Sequence, residues 1–249
     1  DAAVEKGLEG VCITDHMDLD FPETPDFPAN AFQFDLDEYF GRLNRLKEQY
    51  KDKLDLRIGV EIGLQKHLGE AYHRLTETYP FDFVIGSVHL VGGQDPYYRK
   101  IFEGKTDEEV YRMAFRETLE DVAAVKDFDA LGHLDYVVRY GIHQAAEYSY
   151  RKFSDEIDAV LKKLIAEGKG LEMNLAGIKY GLGFPNPHPD VLKRYRELGG
   201  EIITIGADAH EPAHVAYGFE KAAEILRECG FSYYAEFHGR KPVFQRIVP

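Results

Sequence analysis

The sequence predicts an α/β fold in which parallel strands alternate with helices, and three observations support this class. Strand-like apolar runs alternate with segments of helical periodicity along most of the 249 residues. The Gly-rich phosphate loop that a doubly wound nucleotide-binding sheet carries after its first strand is not found in the sequence. Polar residues instead recur at the carboxyl ends of several predicted strands, as they do in (β/α) barrels. A barrel is therefore favoured over a doubly wound sheet.

Seven segments have the length and composition of strands, namely 11–14, 56–62, 81–88, 130–131, 170–175, 201–205 and 233–237. Helices are predicted over 35–50, 66–78, 106–125, 154–168, 187–198 and 220–229. Thr106 and Glu109 form a capping-box pattern, Ser154 is expected to cap the next helix, and Asn186-Pro187 has the pattern of an N-cap followed by a first helical proline. The segment 19–34 is a long loop with three prolines, of the kind that often forms a lid or a binding loop.

Composition restricts the classes of partner and location. The formal net charge of -14 argues against nucleic acid as the main partner, because phosphate backbones demand a basic surface. No apolar run approaches the ~20 residues needed to cross a bilayer, so no membrane contact is expected. Cys12 and Cys229 lie far apart in apolar contexts, which favours reduced thiols and a cytoplasmic location. We expect one domain over residues 1–249, and the sequence gives no indication of its oligomeric state.

Five strand-like segments end on residues that bind divalent metals. They are TDH, GVEIG, GSVH, GHLD and GADAH, which supply His16, Glu61, His89, His133, Asp208 and His210. A single histidine near a strand end is more often structural, but five such segments in series predict one metal centre at a common rim. Imidazole and carboxylate together suit zinc, manganese or iron better than calcium or magnesium. Six ligands are enough for a dinuclear site with open positions for water and substrate.

These motifs resemble, in the same order, those of the polymerase-and-histidinol-phosphatase (PHP) superfamily of metal phosphoesterases. The resemblance covers essentially the whole chain, and TDHMDLDFPE, GVEIGLQ, FDFVIGSVHLV, LGHLDYVVRYG and LEMN are similar to the histidinol-phosphatase branch. It implies a distorted (β/α)7 barrel with a trinuclear metal centre at the strand C-termini. It also implies hydrolysis of a small-molecule phosphate ester, L-histidinol phosphate, in histidine biosynthesis.

The resemblance further implies a role for each ligand. Glu61 would bridge two ions, His89 and His133 would hold one of them, and Asp208 would help to hold the other. His16 and His210 would hold the third. The family opens with a strand that ends in His-x-His, followed by another histidine, and this sequence contains no His-x-His. Either residues before Asp1 supply these three ligands or the protein is a degenerate relative, and we favour the first explanation because every downstream motif is intact.

The mechanism expected for such a centre needs no catalytic side chain. The attacking group is a hydroxide that two ions share near Glu61. This hydroxide would attack phosphorus in line. Arg139 and Lys179 follow strands by a few residues and are predicted to bind the phosphate, while Asn174 is a weaker candidate for a substrate or indirect contact. Asp15 could orient a ligand or protonate the leaving group. Carboxylates or aromatic rings of the rim loops, including 18–34, are expected to hold the histidinol group.

Three other functions remain open at this stage. The first is a phosphoesterase of the same type that acts on nucleotides, oligonucleotides, another small phosphoester or phosphotyrosine, and the acidic charge disfavours oligonucleotides. The second is a non-catalytic metal-binding or interaction domain. The third is an unrelated barrel whose rim histidines are incidental.

Overall fold

A curled parallel sheet forms the centre of the protein, for which a computed structural model describes residues 1–248. Its strands are β1 (Gly10–Ile13), β2 (His16–Met17), β3 (Asp55–Gly63), β4 (Phe83–Ser87), β5 (Ala130–Leu131), β6 (Gly170–Asn174) and β7 (Ile203–Gly206). Their order is β1-β3-β4-β5-β6-β7, and β2 also pairs with β3. Every neighbouring pair is parallel. The predicted α/β class and barrel-type architecture are therefore confirmed.

Helices connect most of these strands: α1 (Ala2–Glu5), α2 (Leu36–Tyr50), α3 (Gly69–Thr78), α4 (Asp107–Ala124), α5 (Ser154–Ala166), α6 (Ala176–Lys179), α7 (Pro189–Glu197) and α8 (Phe219–Glu228). The capping box of Thr106 and Glu109 begins α4 as predicted, with both reciprocal hydrogen bonds present. Helices α4 and α5 bury large side chains such as Phe115 and Leu161 completely. Each such side chain stabilises the fold by about 1.5–3 kcal/mol.

Two predicted helix caps are wrong. Ser154 is the first residue of α5 and makes no capping hydrogen bond with its side chain. Helix α7 begins at Pro189, and the N-cap is His188, whose Nδ1 accepts from the Asp190 N–H at 3.1 Å. Asn186 precedes the helix, in a cis peptide bond with Pro187. Its side chain is fully buried and already bonded to other side chains, so it is not available to cap a helix.

The last predicted strand exists but does not join the parallel sheet. It is β8 (Tyr233–His238), and it pairs antiparallel with β9 (Lys241–Arg246), which the sequence reasoning missed. The two residues between these strands, Gly239 and Arg240, both have positive φ, the conformation that tight hairpins with two-residue loops require. The hairpin packs Phe237 against Phe83 at the amino end of β4, with ring centroids 4.7 Å apart.

A cavity of about 350 Å³ lies between β1 and β7, the two outer strands of the curled sheet. Residues from both strands line it together with Phe83, Ile85 and Phe237. Within residues 1–248, no helix combines the length and the apolar character needed to span a membrane.

Candidate metal centre

The carboxyl ends of five parallel strands deliver the predicted ligands to one place. His16 lies in register with Glu61 on β3. His89, His133 and Asp208 each follow the last residue of their strand, β4, β5 or β7, by two positions. Because parallel strands end at the same edge, the side chains converge there, as catalytic groups do in barrels.

Glu61 is the centre of the cluster. Its Oε1 lies 3.2 Å from Nε2 of His89 and 3.1 Å from Nε2 of His133, and Oε2 lies 3.7 Å from Nδ1 of His16. Glu61, His89 and His133 are all buried. A carboxylate with imidazoles beside both oxygens has the arrangement needed to bridge two cations.

The donor set fits divalent metal ions. The ligand atoms of Glu61, His89 and His133 all lie within 4.8 Å of one another, a spacing that one ion can span. Nδ1 of His16 and Oδ1 of Asp18 are buried and have no hydrogen-bond partner within residues 1–248. Unpartnered buried polar atoms are costly, and a bound cation would satisfy such atoms. The nitrogen and oxygen ligands suit zinc, manganese or iron.

Asp18 is a site residue that the sequence reasoning missed as part of the metal cluster. It is buried, and its Oδ2 lies 2.9 Å from Nδ1 of His89. A neutral imidazole has one lone pair, so His89 cannot bind ions through both nitrogens. With Nε2 directed at Glu61, the Nδ1–H of His89 donates to Asp18, as carboxylates commonly orient metal-binding histidines. The signal was available, because His16 and Asp18 have the same i, i+2 spacing as Asp208 and His210.

Asp208 and His210 form the outer part of the centre. Oδ1 of Asp208 lies 2.9 Å from Nε2 of His210. The His210 ring stacks on that of His16 with centroids 5.7 Å apart and an interplanar angle of 17°. His210 is exposed, whereas Glu61 is buried. All six predicted ligands therefore lie in one continuous cluster that reaches from the interior to the surface.

Burial and neighbouring charges shift the pKa values of several groups in the cluster. Burial alone would raise the pKa of Glu61, but His16, His133 and His89 together hold that pKa well below its usual range. Burial lowers the pKa of His89, yet Asp18 and Glu61 outweigh it and raise the pKa well above the usual value. The hydrogen bond to Asp208 likewise raises the pKa of His210. Because a protonated imidazole cannot bind a metal, cations and protons compete for this cluster.

Arg139, for which the sequence predicts phosphate binding, lies beside the cluster. Its guanidinium makes cation–π contacts with the rings of Tyr136 and Tyr180, at 5.1 Å and 4.9 Å from their centroids. Nη1 lies 3.5 Å from Oδ2 of Asp208. Nη2 is buried and has no partner in the described part of the chain. The side chain therefore presents an unused pair of N–H donors next to the metal cluster.

The other predicted substrate contacts differ from Arg139. Lys179 donates from Nζ to the main-chain oxygen of Asp208 at 2.9 Å, so its ammonium is also beside the cluster. Asn174 is buried, and both ends of its amide have protein partners, Glu172 Oε2 at 3.1 Å and the Ala176 N–H at 2.9 Å. The amide of Asn174 faces the cavity between β1 and β7 and supports an indirect role. Asp15 is exposed and lines that same cavity between β1 and β7.

A second cavity, of about 540 Å³, opens on the other side of the cluster. We call it the outer cavity. The loop 19–34, the turn 95–99 and the segment 136–140 line it with aromatic rings, those of Phe21, Phe27, Phe32, Tyr97, Tyr98, Tyr136 and Tyr140. The Tyr98 hydroxyl donates to Oδ2 of Asp26 at 2.9 Å and connects the loop to the turn. This volume and lining are typical of a small-molecule site.

Two glycines leave room for the polar side chains of the centre. A Cβ atom on Gly132 would overlap Oγ of Ser87, and one on Gly206 would overlap Oε1 of Glu172. Oε2 of Glu172 accepts from the His133 N–H at 3.1 Å, and burial raises the pKa of Glu172 to about 7. Glu172 was not predicted from the sequence, although it holds the main chain of a ligand.

Comparisons with known proteins identify relatives of this chain. A probable histidinol-phosphatase of Clostridium acetobutylicum is 33% identical over 244 residues, which cover 98% of this chain and 88% of the relative. A histidinol-phosphatase of Lactococcus lactis subsp. lactis is 31% identical, with 96% and 87% covered.

Two solved structures have the same fold. The crystal structure of histidinol phosphate phosphatase from Lactococcus lactis, complexed with zinc, L-histidinol and phosphate, matches with a TM-score of 0.83 at 30% identity, and covers 97% of this chain and 90% of the other. A putative histidinol phosphatase from Listeria monocytogenes matches with a TM-score of 0.69 at 18% identity, over 88% and 90% of the two chains, and supports the fold alone. The PHP domain model matches residues 1–176. The chain therefore belongs to the PHP domain family.

Proposed function

We propose that this protein is a metal-dependent phosphomonoesterase that hydrolyses L-histidinol phosphate to L-histidinol and phosphate in histidine biosynthesis. The observation that carries the proposal is the buried cluster of Glu61, His89 and His133 beside the unpartnered Nη2 of Arg139. The similarity to a relative whose structure holds zinc, histidinol and phosphate extends over 97% of this chain and supports it. A biosynthetic role of this kind also favours a cytoplasmic location.

Divalent ions would supply Lewis-acid stabilisation of the phosphoryl oxygens and a water of lowered pKa. Glu61 would be a ligand shared by two ions, with His89 and His133 as ligands of one of them and Asp208 as a ligand of the other. His16 and His210 would hold a third ion, so that the centre would take three ions of zinc, manganese or iron. The stacking of His210 on His16 supports their assignment to one ion.

The phosphoryl group would lie between the metal cluster and Arg139. A guanidinium offers two parallel N–H donors that match two phosphate oxygens, and it neutralises the charge that spreads over these oxygens in the transition state. Lys179 adds a second positive charge close to Asp208. Both groups would therefore place positive charge next to the phosphoryl group.

The alcohol part of the substrate would occupy the outer cavity. Its aromatic rings can stack against an imidazole. Asp95 also lines this cavity, and Oδ1 accepts from the Tyr97 N–H at 2.8 Å, which leaves Oδ2 free for an ammonium group. This lining favours a cationic, aromatic alcohol over an anionic leaving group.

Metal removal and a substrate panel test the proposal. Protein treated with a chelator, with its fold checked by circular dichroism, should lose hydrolysis of histidinol phosphate and regain it when zinc, manganese or iron is added. Metal-loaded protein should prefer histidinol phosphate to phosphotyrosine and to nucleotides in kcat/KM. Equal rates with and without metal would contradict the mechanism, and a preference for phosphotyrosine would contradict the substrate.

A further inference from the structure

We propose that Asp135 and Asn186 are positioning residues that fix the orientation of the Arg139 guanidinium for phosphate binding. The proposal rests on the proposed function in one respect, since it takes a phosphoryl group as the ligand of Arg139. Neither residue lines the outer cavity, so each acts through another side chain.

The guanidinium of Arg139 is held along one edge. Its Nε–H donates to Oδ1 of Asn186 at 3.0 Å, and the ring centroids of Tyr136 and Tyr180 lie 5.1 Å and 4.9 Å from its Cζ. Cation–π contacts with two rings have little directional preference, so they do not by themselves fix the rotation of the guanidinium. The hydrogen bond to Asn186 is directional and opposes that rotation, and Arg139 lines the outer cavity.

Asn186 can hold Arg139 only in one of its two amide orientations. Its oxygen must face the Nε–H donor, because a rotated amide would place its own N–H groups against that donor. The correct orientation is set by Asp135, whose Oδ1 accepts from Nδ2 of Asn186 at 2.5 Å. Oδ2 of Asp135 accepts from the His188 N–H at 2.8 Å. Asp135 and Asn186 are both completely buried, so water cannot replace either partner.

The neighbourhood permits little adjustment. A Cβ atom on Gly177 would lie 2.8 Å from Oδ1 of Asn186. The main chain of Asn186 pairs with that of Asn174 through two hydrogen bonds of 2.8 Å at the end of β6. Asn186 is therefore anchored by its backbone, and its amide is the only part that could rotate.

Because Asp135 accepts the hydrogen bond that Asn186 donates, exchanging the two side chains tests whether the direction of this bond matters. In Asp135→Asn alone, the new amide must accept from the His188 N–H, so its NH₂ faces that of Asn186. Asn186 is then driven to rotate and to release Arg139. In the double variant Asp135→Asn/Asn186→Asp, the carboxylate at 186 accepts from both Arg139 and the amide at 135. Every hydrogen bond is restored with the donor and the acceptor between 135 and 186 exchanged.

The experiment compares the wild type, Asp135→Asn, the exchange variant, Arg139→Ala and Arg139→Ala/Asp135→Asn, all loaded with zinc. The readouts are kcat and KM for histidinol phosphate, calorimetric affinity for inorganic phosphate, zinc content and Tm. Asp129→Asn is the matched control, because Asp129 is also buried and accepts from a main-chain N–H, that of Val84 at 2.8 Å, but lies at the amino end of β5.

We expect Asp135→Asn to weaken phosphate affinity and raise KM by roughly tenfold or more, the size of effect that follows loss of one hydrogen bond to a charged group. The exchange variant should return both to within about threefold of the wild type, as its hydrogen bonds are equivalent. In the Arg139→Ala background Asp135→Asn should change neither, since the two positions act through one group. Asp129→Asn should lower Tm and leave KM unchanged.

The proposal is overturned if folded Asp135→Asn binds phosphate like the wild type, or if its effect persists in Arg139→Ala. It is also overturned if the exchange variant regains Tm without regaining affinity. Should Asp135→Asn not fold, Asn186→Ser, which keeps Asp135 bonded to His188, allows the same comparison. A wild type that binds phosphate but does not hydrolyse histidinol phosphate would refute the proposed function and leave this inference standing.

Discussion

The two ends of the central sheet both carry acidic side chains, but the hydrogen-bond partners of these side chains differ between the ends. At the amino end, Oδ2 of Asp129 accepts from Nε of Arg240 at 2.7 Å and from the Val84 N–H at 2.8 Å. Asp82 accepts from the Ile58 N–H at 3.0 Å and from the Gly239 N–H at 3.1 Å. At the carboxyl end, buried atoms of Asp18 and His16 have no partner within residues 1–248.

The polar groups at the amino end therefore stabilise the fold, whereas those at the carboxyl end are available to bind a ligand. At the amino end, the acidic side chains are paired with the Arg240 guanidinium and with main-chain N–H donors, and the hairpin β8–β9 packs there. The carboxyl end gathers the carboxylates and imidazoles of the candidate metal cluster. Stability therefore depends on one end and chemistry on the other, as in barrel enzymes generally.

The largest effect on function is expected for a residue of the carboxyl end that makes no direct contact with substrate in our proposal. Asp18→Asn should weaken zinc affinity by about 10–100-fold, because it removes the charge that orients His89 and makes it a better ligand. Zinc competition against a fluorescent chelator measures this. Asp20→Asn is a suitable control, since Asp20 is exposed and pairs with His67 outside the cluster. Equal affinities for Asp18→Asn and wild type would remove Asp18 from the centre.

The pH dependence of the carboxyl end should reverse when metal is added. In metal-free protein the pKa of His89 is raised, so its contribution to stability is fully present below the unfolded pKa of about 6.5 and is lost as the pH rises through the folded pKa. Zinc must displace this proton, so zinc affinity should fall as the pH falls below the same pKa. Denaturant unfolding with and without zinc between about pH 5.5 and 8.5 measures both trends. Parallel curves would contradict the competition.

The smallest effect on catalysis is expected at the amino end. Arg240→Met should destabilise the protein by about 1–3 kcal/mol, less than the loss of a fully buried ion pair, because Arg240 is partly exposed and Asp129 keeps one main-chain donor. The KM for histidinol phosphate should be unchanged. Urea unfolding and steady-state kinetics test the pair of expectations, with Lys51→Met as the exposed control. A changed KM would show that the two ends are coupled.

Prediction from sequence succeeded where a local pattern determines position. Strand ends can be located from apolar runs, and parallel strands must end at one edge, so His89 and His133 could be expected together. The same logic predicted Arg139 at this edge, where it does lie beside the cluster, and its role in phosphate binding stays a prediction. This logic also applied to Asp18, whose spacing from His16 was present in the sequence but was not used.

Prediction failed where long-range contacts decide. Asp135 and Asn186 are 51 residues apart, and no periodicity links them. The Asn-Pro pair looked like a helix start because local propensity favours it, but burial of the Asn186 side chain prevails. Strand β8 had the right composition, yet its pairing depends on the turn at Gly239 and Arg240 and on the Asp129 carboxylate that receives Arg240.

The close packing around Gly132 and Gly206 restricts which substitutions this protein can accept in evolution. Neither residue carries a functional group, but any side chain at these positions would collide with Ser87 or Glu172. In a saturation mutagenesis library selected for growth, both positions should therefore accept as few substitutions as the ligands do. The sequence freedom of the centre is limited by the close packing around these glycines as well as by the groups that bind the ligand.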